Sequence, residues 1–182
     1  MSRRMAATLV ILLTAACGAP ADQSQTGDEA AKAVLPAGPA ATIDTIAAAD
    51  LPAGAREAVL ARVPRMTIAG AERKRRDGMT FYDVEGTRPD GSEVELDLLE
   101  ETGRFTVVEV QRDIAWARAP AAVIAAAKAA SDAFEPVRVI ESTQADGAVI
   151  YELFAAGKPD EPAAEIDWKD GKAALRHERA IY

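Results

Sequence analysis

The sequence predicts an α+β fold of two tandem modules, each with one helix followed by a four-stranded antiparallel sheet. Three observations support this prediction: a helical pattern that occurs twice, hairpin-turn signals at matching places after each helix, and strands in which apolar and acidic residues alternate. The two copies span residues 50–116 and 117–182. A module of about 60 residues buries little surface alone, so two modules packed together are the stable arrangement.

Each module opens with a short amphipathic helix that follows a proline. Pro52 and Pro120 suit the first helical position, where the missing N–H has no helical partner. Apolar residues then recur at helical spacing and predict one buried stripe in each helix. The stripes consist of Ala55, Val59 and Val63 in the first copy, and of Val123, Ala127, Ala130 and Phe134 in the second.

Tight turns and alternating strands follow each helix. Asp77-Gly78 and Asp146-Gly147 indicate hairpins, because glycine adopts a positive φ at little cost. In the clearest strand, Val94, Leu96 and Leu98 alternate with acidic residues, a period of two that predicts a sheet with one face buried against the helix. The acidic residues of that strand are expected to face away from the helix: Glu93, Glu95 and Asp97.

This repeated pattern resembles a known family. Leu51-Pro52 with its short helix, Phe81-Tyr82-Asp83-Val84, Glu95-Leu96-Asp97 and Gly103 are similar to a PepSY-type module. Such modules occur in propeptides of secreted metalloproteases and as standalone envelope domains. The PepSY-like branch is similar in layout to the β-lactamase-inhibitor-protein fold, in which two tandem units form one curved sheet. The resemblance covers residues 50–182 and implies inhibition or regulation of an envelope enzyme.

The N-terminal residues predict export and a lipid anchor. Two arginines precede an uncharged, largely apolar run over residues 5–16, which is too short to cross a bilayer of about 30 Å as a helix. Leu13-Thr14-Ala15-Ala16-Cys17 resembles a lipobox, the signal for acylation of a cysteine. We therefore expect a lipoprotein signal peptide over residues 1–16 and lipidation of Cys17. The alternative is an ordinary signal peptide cut near Ala19.

Residues 17–49 are predicted to form a flexible tether. They are rich in small and polar residues and contain no aromatic residue, so they cannot bury enough surface to offset the entropy of ordering. Acyl chains on Cys17 would hold the protein on a membrane. By resemblance to lipoprotein sorting, Gly18 favours the outer membrane, and we expect the protein to face the periplasm.

Charge and residue types exclude several function classes. The net charge of −8 argues against a nucleic-acid partner, because phosphates require several cations. His177 is the only histidine, and the sequence contains no HExxH, CxxC or Gly-rich phosphate loop and no EF-hand spacing for calcium. We therefore predict a non-enzymatic protein without cofactor or metal. An enzyme would need a pocket that joins His177 to carboxylates.

The acidic strand face is the candidate binding site. Two neighbouring strands supply its predicted residues: Phe81, Asp83, Glu85, Glu93, Glu95 and Asp97. An aromatic ring among carboxylates could receive a basic peptide or an envelope protein, although such a face can also be charged merely to prevent aggregation. The predicted function is a membrane-tethered periplasmic binding module that restrains a protease or another envelope enzyme. The alternative is a structural outer-membrane lipoprotein that supports envelope assembly.

Overall fold

A computed structural model describes residues 40–159 and 161–179. Within these ranges the chain forms two α-helices and nine β-strands, and a short 3-10 turn precedes each helix. The elements in chain order are β1 (Thr42–Ala47), α1 (Ala53–Arg62), β2 (Thr67–Arg76), β3 (Met79–Thr87), β4 (Glu93–Glu101), β5 (Arg104–Ile114), α2 (Ala121–Ala129), β6 (Arg138–Gln144), β7 (Val149–Phe154), β8 (Ala164–Lys169) and β9 (Lys172–Leu175).

All nine strands belong to one antiparallel sheet, and their order in the sheet follows the sequence from β1 to β9. β5 pairs with β6 from Glu109, opposite Gln144, to Ile114, opposite Val139. The predicted fold class, two modules each with its own four-stranded sheet, is therefore wrong. Separate sheets would leave β5 and β6 as two open edges with unpaired N–H and C=O groups, and pairing these strands with each other satisfies those groups.

β1 extends the sheet at β2 and lies within the segment that was predicted to be a tether. Thr42–Ala47 pairs with β2 along its whole length. Asp44 also forms ion pairs with Arg73 at 2.9 Å and with Arg75 at 3.0 Å. The tether prediction is therefore wrong for this stretch. Composition missed the strand because main-chain hydrogen bonds and ion pairs, rather than a run of apolar side chains, hold it in the sheet.

The other N-terminal predictions concern residues that the structure does not describe. The signal peptide over residues 1–16, the lipidation of Cys17 and the tether up to residue 39 all lie outside the described ranges. Neither of the helices that are described is long and apolar enough to cross a bilayer.

Both helices pack on the same face of the sheet. Each helix has its own hydrophobic cluster, and Val110 of the first cluster lies on the same side of the paired strands β5 and β6 as Val139 of the second. The first cluster includes Ala55, Val59, Tyr82, Val84, Leu96 and Leu98, and the second includes Val123, Ala127, Tyr151, Leu153 and Ile166. The acidic residues that alternate with these strand residues consequently occupy the opposite face.

Candidate functional site

The sheet face opposite the helices carries a row of acidic residues. Strand pairing places the members of this row directly opposite one another on β2, β3, β4 and β5: Glu72, Asp83, Asp97 and Glu109. We call these four residues the carboxylate row. Like charges that face each other across antiparallel strands repel, so this arrangement needs a compensating positive charge or a proton.

The six predicted binding residues share this face but differ in exposure. Three of them are buried: Phe81, Asp83 and Asp97, which are 3%, 6% and 4% exposed. Three can be reached from solvent: Glu85 and Glu93, which are exposed, and Glu95, which is partly buried. Only the second three are accessible to a partner in this structure, and the role of all six in binding stays a prediction. Sequence alternation assigns a residue to a face but does not show how closely its neighbours pack around it.

Asp83, Glu95 and Asp97 converge on one point. Each residue offers one carboxylate oxygen, and these three oxygens lie within 4.8 Å of one another. Asp83 and Asp97 are direct partners in the pairing of β3 with β4, and Glu95 precedes Asp97 by two residues on the same face. We call these residues the three-carboxylate cluster. Three hard oxygen donors at this separation can share one divalent cation.

The three-carboxylate cluster uses part of its hydrogen-bonding capacity. Lys74 Nζ contacts Asp83 Oδ2, and Gln111 Nε2 donates to Asp97 Oδ2 at 3.3 Å. Asp83 Oδ1 and Asp97 Oδ1 are shielded from solvent, and neither accepts a hydrogen bond from a donor in residues 40–159 or 161–179. A buried polar group without a partner costs about 1–3 kcal/mol. These two oxygens are therefore places where a cation or a proton would stabilise the fold.

Burial raises the pKa of every carboxyl group in this cluster. Loss of hydration disfavours the charged form, and it raises the pKa of Asp83 and Asp97 and that of Glu95 to about 7. The charge of Asp83 raises the pKa of both other members further, whereas Lys74 opposes the rise at Asp83. Burial lowers the pKa of Lys74, but the surrounding carboxylates, Asp83 first, outweigh burial and raise it.

The second half of the sheet has a smaller acidic group on the same face. Glu152 and Glu165 lie opposite each other on β7 and β8. Arg176 Nε lies 3.4 Å from Glu165 Oε2, and Arg179 Nη1 lies 3.9 Å from Glu165 Oε1. Ser142 Oγ lies between two carboxylates, in its closest contact with Glu109 Oε1 and 3.2 Å from Glu152 Oε1. Burial raises the pKa of Glu152 to about 8. Arginines therefore balance much of the negative charge in this half.

A surface pocket of about 240 Å³ adjoins the three-carboxylate cluster. Three carboxylates on its walls form no ion pair within the described part of the chain: Glu85, Glu93 and Glu95. The two arginines of the pocket already have partners. Arg112 contacts Glu141 at 2.6 Å, and Arg138 contacts Asp113 at 2.8 Å. The pocket therefore presents negative charge that a cationic group could neutralise.

Lys74, Glu109 and Gln111 belong to the site but were not among the predicted site residues. Lys74 is visible in the sequence only as part of a basic run on β2. Glu109 reaches Asp97 because a register shift between Asp97 and Leu98 changes which residues of β5 face β4. Register and bulges depend on tertiary packing, so only a paired sheet reveals these neighbours.

His177, which the enzymatic alternative would require, is exposed and follows β9. It is not among the residues that line the pocket. Comparison with known proteins found no matching family model, no matching curated protein and no matching solved structure. The PepSY-type resemblance therefore stays a prediction, and the function rests on the geometry and charge of the acidic face.

Proposed function

We propose that this chain is a non-enzymatic binding module that captures a basic segment of an envelope protein in the pocket lined by Glu85, Glu93 and Glu95. The observation that supports the proposal is the charge balance of that pocket. These three carboxylates have no ion-pair partner among the described residues, while the arginines beside them are paired. A lysine or arginine side chain that entered the pocket would gain charge-assisted hydrogen bonds.

The size of the pocket favours a side chain over a small-molecule ligand. Its volume of about 240 Å³ lies below the range of roughly 300–1,000 Å³ that is typical of small-molecule sites. The net charge of −8 would also steer a basic partner towards the protein, and added salt would weaken that attraction. The partner class that fits is a lysine- or arginine-containing loop of a protease or another envelope enzyme.

The lipobox-like segment that ends at Cys17 supports the proposed location. Acylation there would hold the module on the membrane surface, facing the periplasm, where exported enzymes lie within reach. The PepSY-type resemblance supports restraint of such an enzyme as the consequence of binding.

A fluorescent oligo-arginine peptide provides the direct test. Its affinity for the full chain is measured by fluorescence anisotropy, in buffer that contains a metal chelator, at low and at high salt. We expect binding that weakens as salt rises. The triple variant Glu85→Gln, Glu93→Gln, Glu95→Gln should weaken binding at least tenfold, because it removes the unpaired carboxylates of the pocket.

The matched control neutralises three exposed carboxylates that do not line the pocket: Glu57→Gln, Glu101→Gln and Glu135→Gln. The assay is run in mildly alkaline buffer, above the pKa of about 7 of Glu95, so that both triple variants change the net charge equally and separate local recognition from general attraction. We expect the control to bind within about threefold of the unmodified chain, which is less than 1 kcal/mol. Equal weakening in both variants would show that net charge, and not the pocket, attracts the peptide.

A further inference from the structure

We propose that the three-carboxylate cluster of Asp83, Glu95 and Asp97 binds one divalent cation, and that this cation is calcium. The proposal goes beyond capture of a basic segment, because the ligand is an inorganic ion. The sites also differ, since Asp83 and Asp97 do not line the pocket and only Glu95 belongs to both.

The separation of the oxygens fits a calcium ion. Calcium binds oxygen ligands at about 2.3–2.6 Å, so two oxygens on one ion lie no more than about 5 Å apart. One oxygen from each of the three carboxylates meets this condition, with all separations within 4.8 Å. Magnesium gives up its water ligands reluctantly and usually keeps several of them, which a cluster of buried carboxylates accommodates less readily than calcium. A set of carboxylates without imidazole or thiolate favours hard cations over zinc.

Two unsatisfied oxygens provide an independent reason to place a cation here. Lys74 and Gln111 engage the Oδ2 atoms of Asp83 and Asp97, and both Oδ1 atoms are buried without a donor among the described residues. Asp97 is only 4% exposed, so water cannot satisfy its Oδ1 atom from bulk solvent. The neighbouring Glu109 can form a hydrogen bond with Asp97 only when one of the two is protonated.

The surrounding charges also favour a cation. Within the described residues, the carboxylate row has an ion pair with one ammonium group, that of the partly buried Lys74. At the corresponding place in the second half, Arg176 lies opposite the buried Glu165. The Arg176 backbone N–H donates to the Glu165 carbonyl at 3.0 Å, and the Arg176 guanidinium contacts the Glu165 carboxylate. The first half has a glutamate, Glu109, where the second half has this arginine. A calcium ion would supply the missing positive charge.

An ion could enter through the pocket. Glu95 lines the pocket and also belongs to the three-carboxylate cluster, so its carboxylate connects solvent with the buried oxygens of Asp83 and Asp97. Lys74 does not block this route, because it contacts Oδ2 of Asp83 and leaves Oδ1 available. Lys74 nevertheless competes electrostatically with the ion.

Isothermal titration calorimetry of calcium chloride into the chelator-treated full chain, without peptide, tests the proposal. We expect one ion per chain with a dissociation constant on the order of 10⁻⁴–10⁻³ M, as in sites with few protein ligands, and weaker binding of magnesium chloride. Asp97→Asn should weaken calcium binding at least tenfold. Glu152→Gln, which neutralises a carboxyl outside the cluster, should bind within twofold of the unmodified chain.

A variant that should tighten calcium binding, rather than weaken it, provides a further test. Lys74→Gln should tighten calcium binding, because it removes a positive charge that competes for Asp83. Circular dichroism checks that each variant folds, and Glu95→Gln replaces Asp97→Asn if the latter does not. The proposal is overturned if the unmodified chain neither releases heat nor gains melting temperature with millimolar calcium, or if Asp97→Asn or its replacement binds as tightly as the unmodified chain. Because the peptide assay contains chelator, each proposal can fail without the other.

Discussion

The two halves of the sheet compensate buried carboxylates in different ways. In the first half, Asp97 lies opposite Glu109, so two acids face each other across the strands. In the second half, Glu165 lies next to Arg176, which is provided by the chain directly after β9. The same sheet geometry therefore holds a group of excess negative charge in one half and a largely neutral group in the other.

The strands that flank these carboxylates, β2 in the first half and β6 in the second, also carry different side chains beside them. Lys74 on β2 lies opposite Phe81, which precedes Asp83 on β3 by two residues. The Lys74 ammonium contacts the Asp83 carboxylate. The corresponding residue on β6 is Ser142, whose hydroxyl contacts Glu109 and Glu152 but carries no charge. The comparison teaches that the residues on the flanking strands, rather than the acids themselves, decide whether such a group is neutral or can accept a cation.

Removal of an arginine from the second half should have the largest effect. Arg176→Gln takes a cation from Glu165, which is 3% exposed, and also from Asp167, whose Oδ1 lies 2.7 Å from Nη1. We expect the free energy of unfolding in urea to fall by about 3 kcal/mol, because a buried charge loses a partner. Lys169→Gln breaks an exposed ion pair with Asp146 and should change stability much less, because solvent screens that pair. Equal losses in the two variants would contradict this difference.

The pH dependence of stability should report on Glu152. Its pKa rises from 4.5 to about 8, mainly because of burial and then because of the charges of Glu109 and Glu165. Between these pH values the folded chain keeps a proton that the unfolded chain has lost, so stability falls as pH rises through this window. The slope that one group contributes is at most about 1.4 kcal/mol per pH unit.

Urea unfolding at several pH values across this window measures the slope. Glu152→Gln should make the fall in stability shallower, because an amide mimics the protonated carboxyl and does not titrate. Glu101→Gln, at an exposed position, should leave the slope unchanged. An unchanged slope in Glu152→Gln would mean that another group causes the pH dependence.

Local features of the fold could be predicted from sequence because they depend on short-range rules. The Asp77-Gly78 hairpin turn is confirmed, with positive φ values of 52° and 78°. The alternation of Val94, Leu96 and Leu98 also placed these residues correctly against α1. Turn conformations and side-chain alternation involve neighbours in sequence, so a single chain reveals them.

Features that depend on distant pairing could not be predicted in the same way. The residue pattern alone does not reveal that β5 pairs with β6, because either module could present the same alternation in a separate sheet, and only the family resemblance implied one sheet. The register shift at Asp97 is equally hidden, although it brings Glu109 into the carboxylate row. Alternation therefore placed the acidic residues of β4 on the face opposite the helix, while the burial of Phe81, Asp83 and Asp97 and the convergence of the Asp83, Glu95 and Asp97 carboxylates required the paired strands.

Two charge-neutralising variants at corresponding positions test the central comparison most directly. Urea unfolding of Asp97→Asn and Glu165→Gln is measured in mildly alkaline buffer, which favours the ionised carboxyl groups, with a chelator that removes divalent cations. Asp97→Asn should raise the free energy of unfolding by about 1 kcal/mol, because it removes repulsion within the carboxylate row. Glu165→Gln should lower it by about 1 kcal/mol or more, because its arginines lose a partner. Changes of the same sign at both positions would contradict the account.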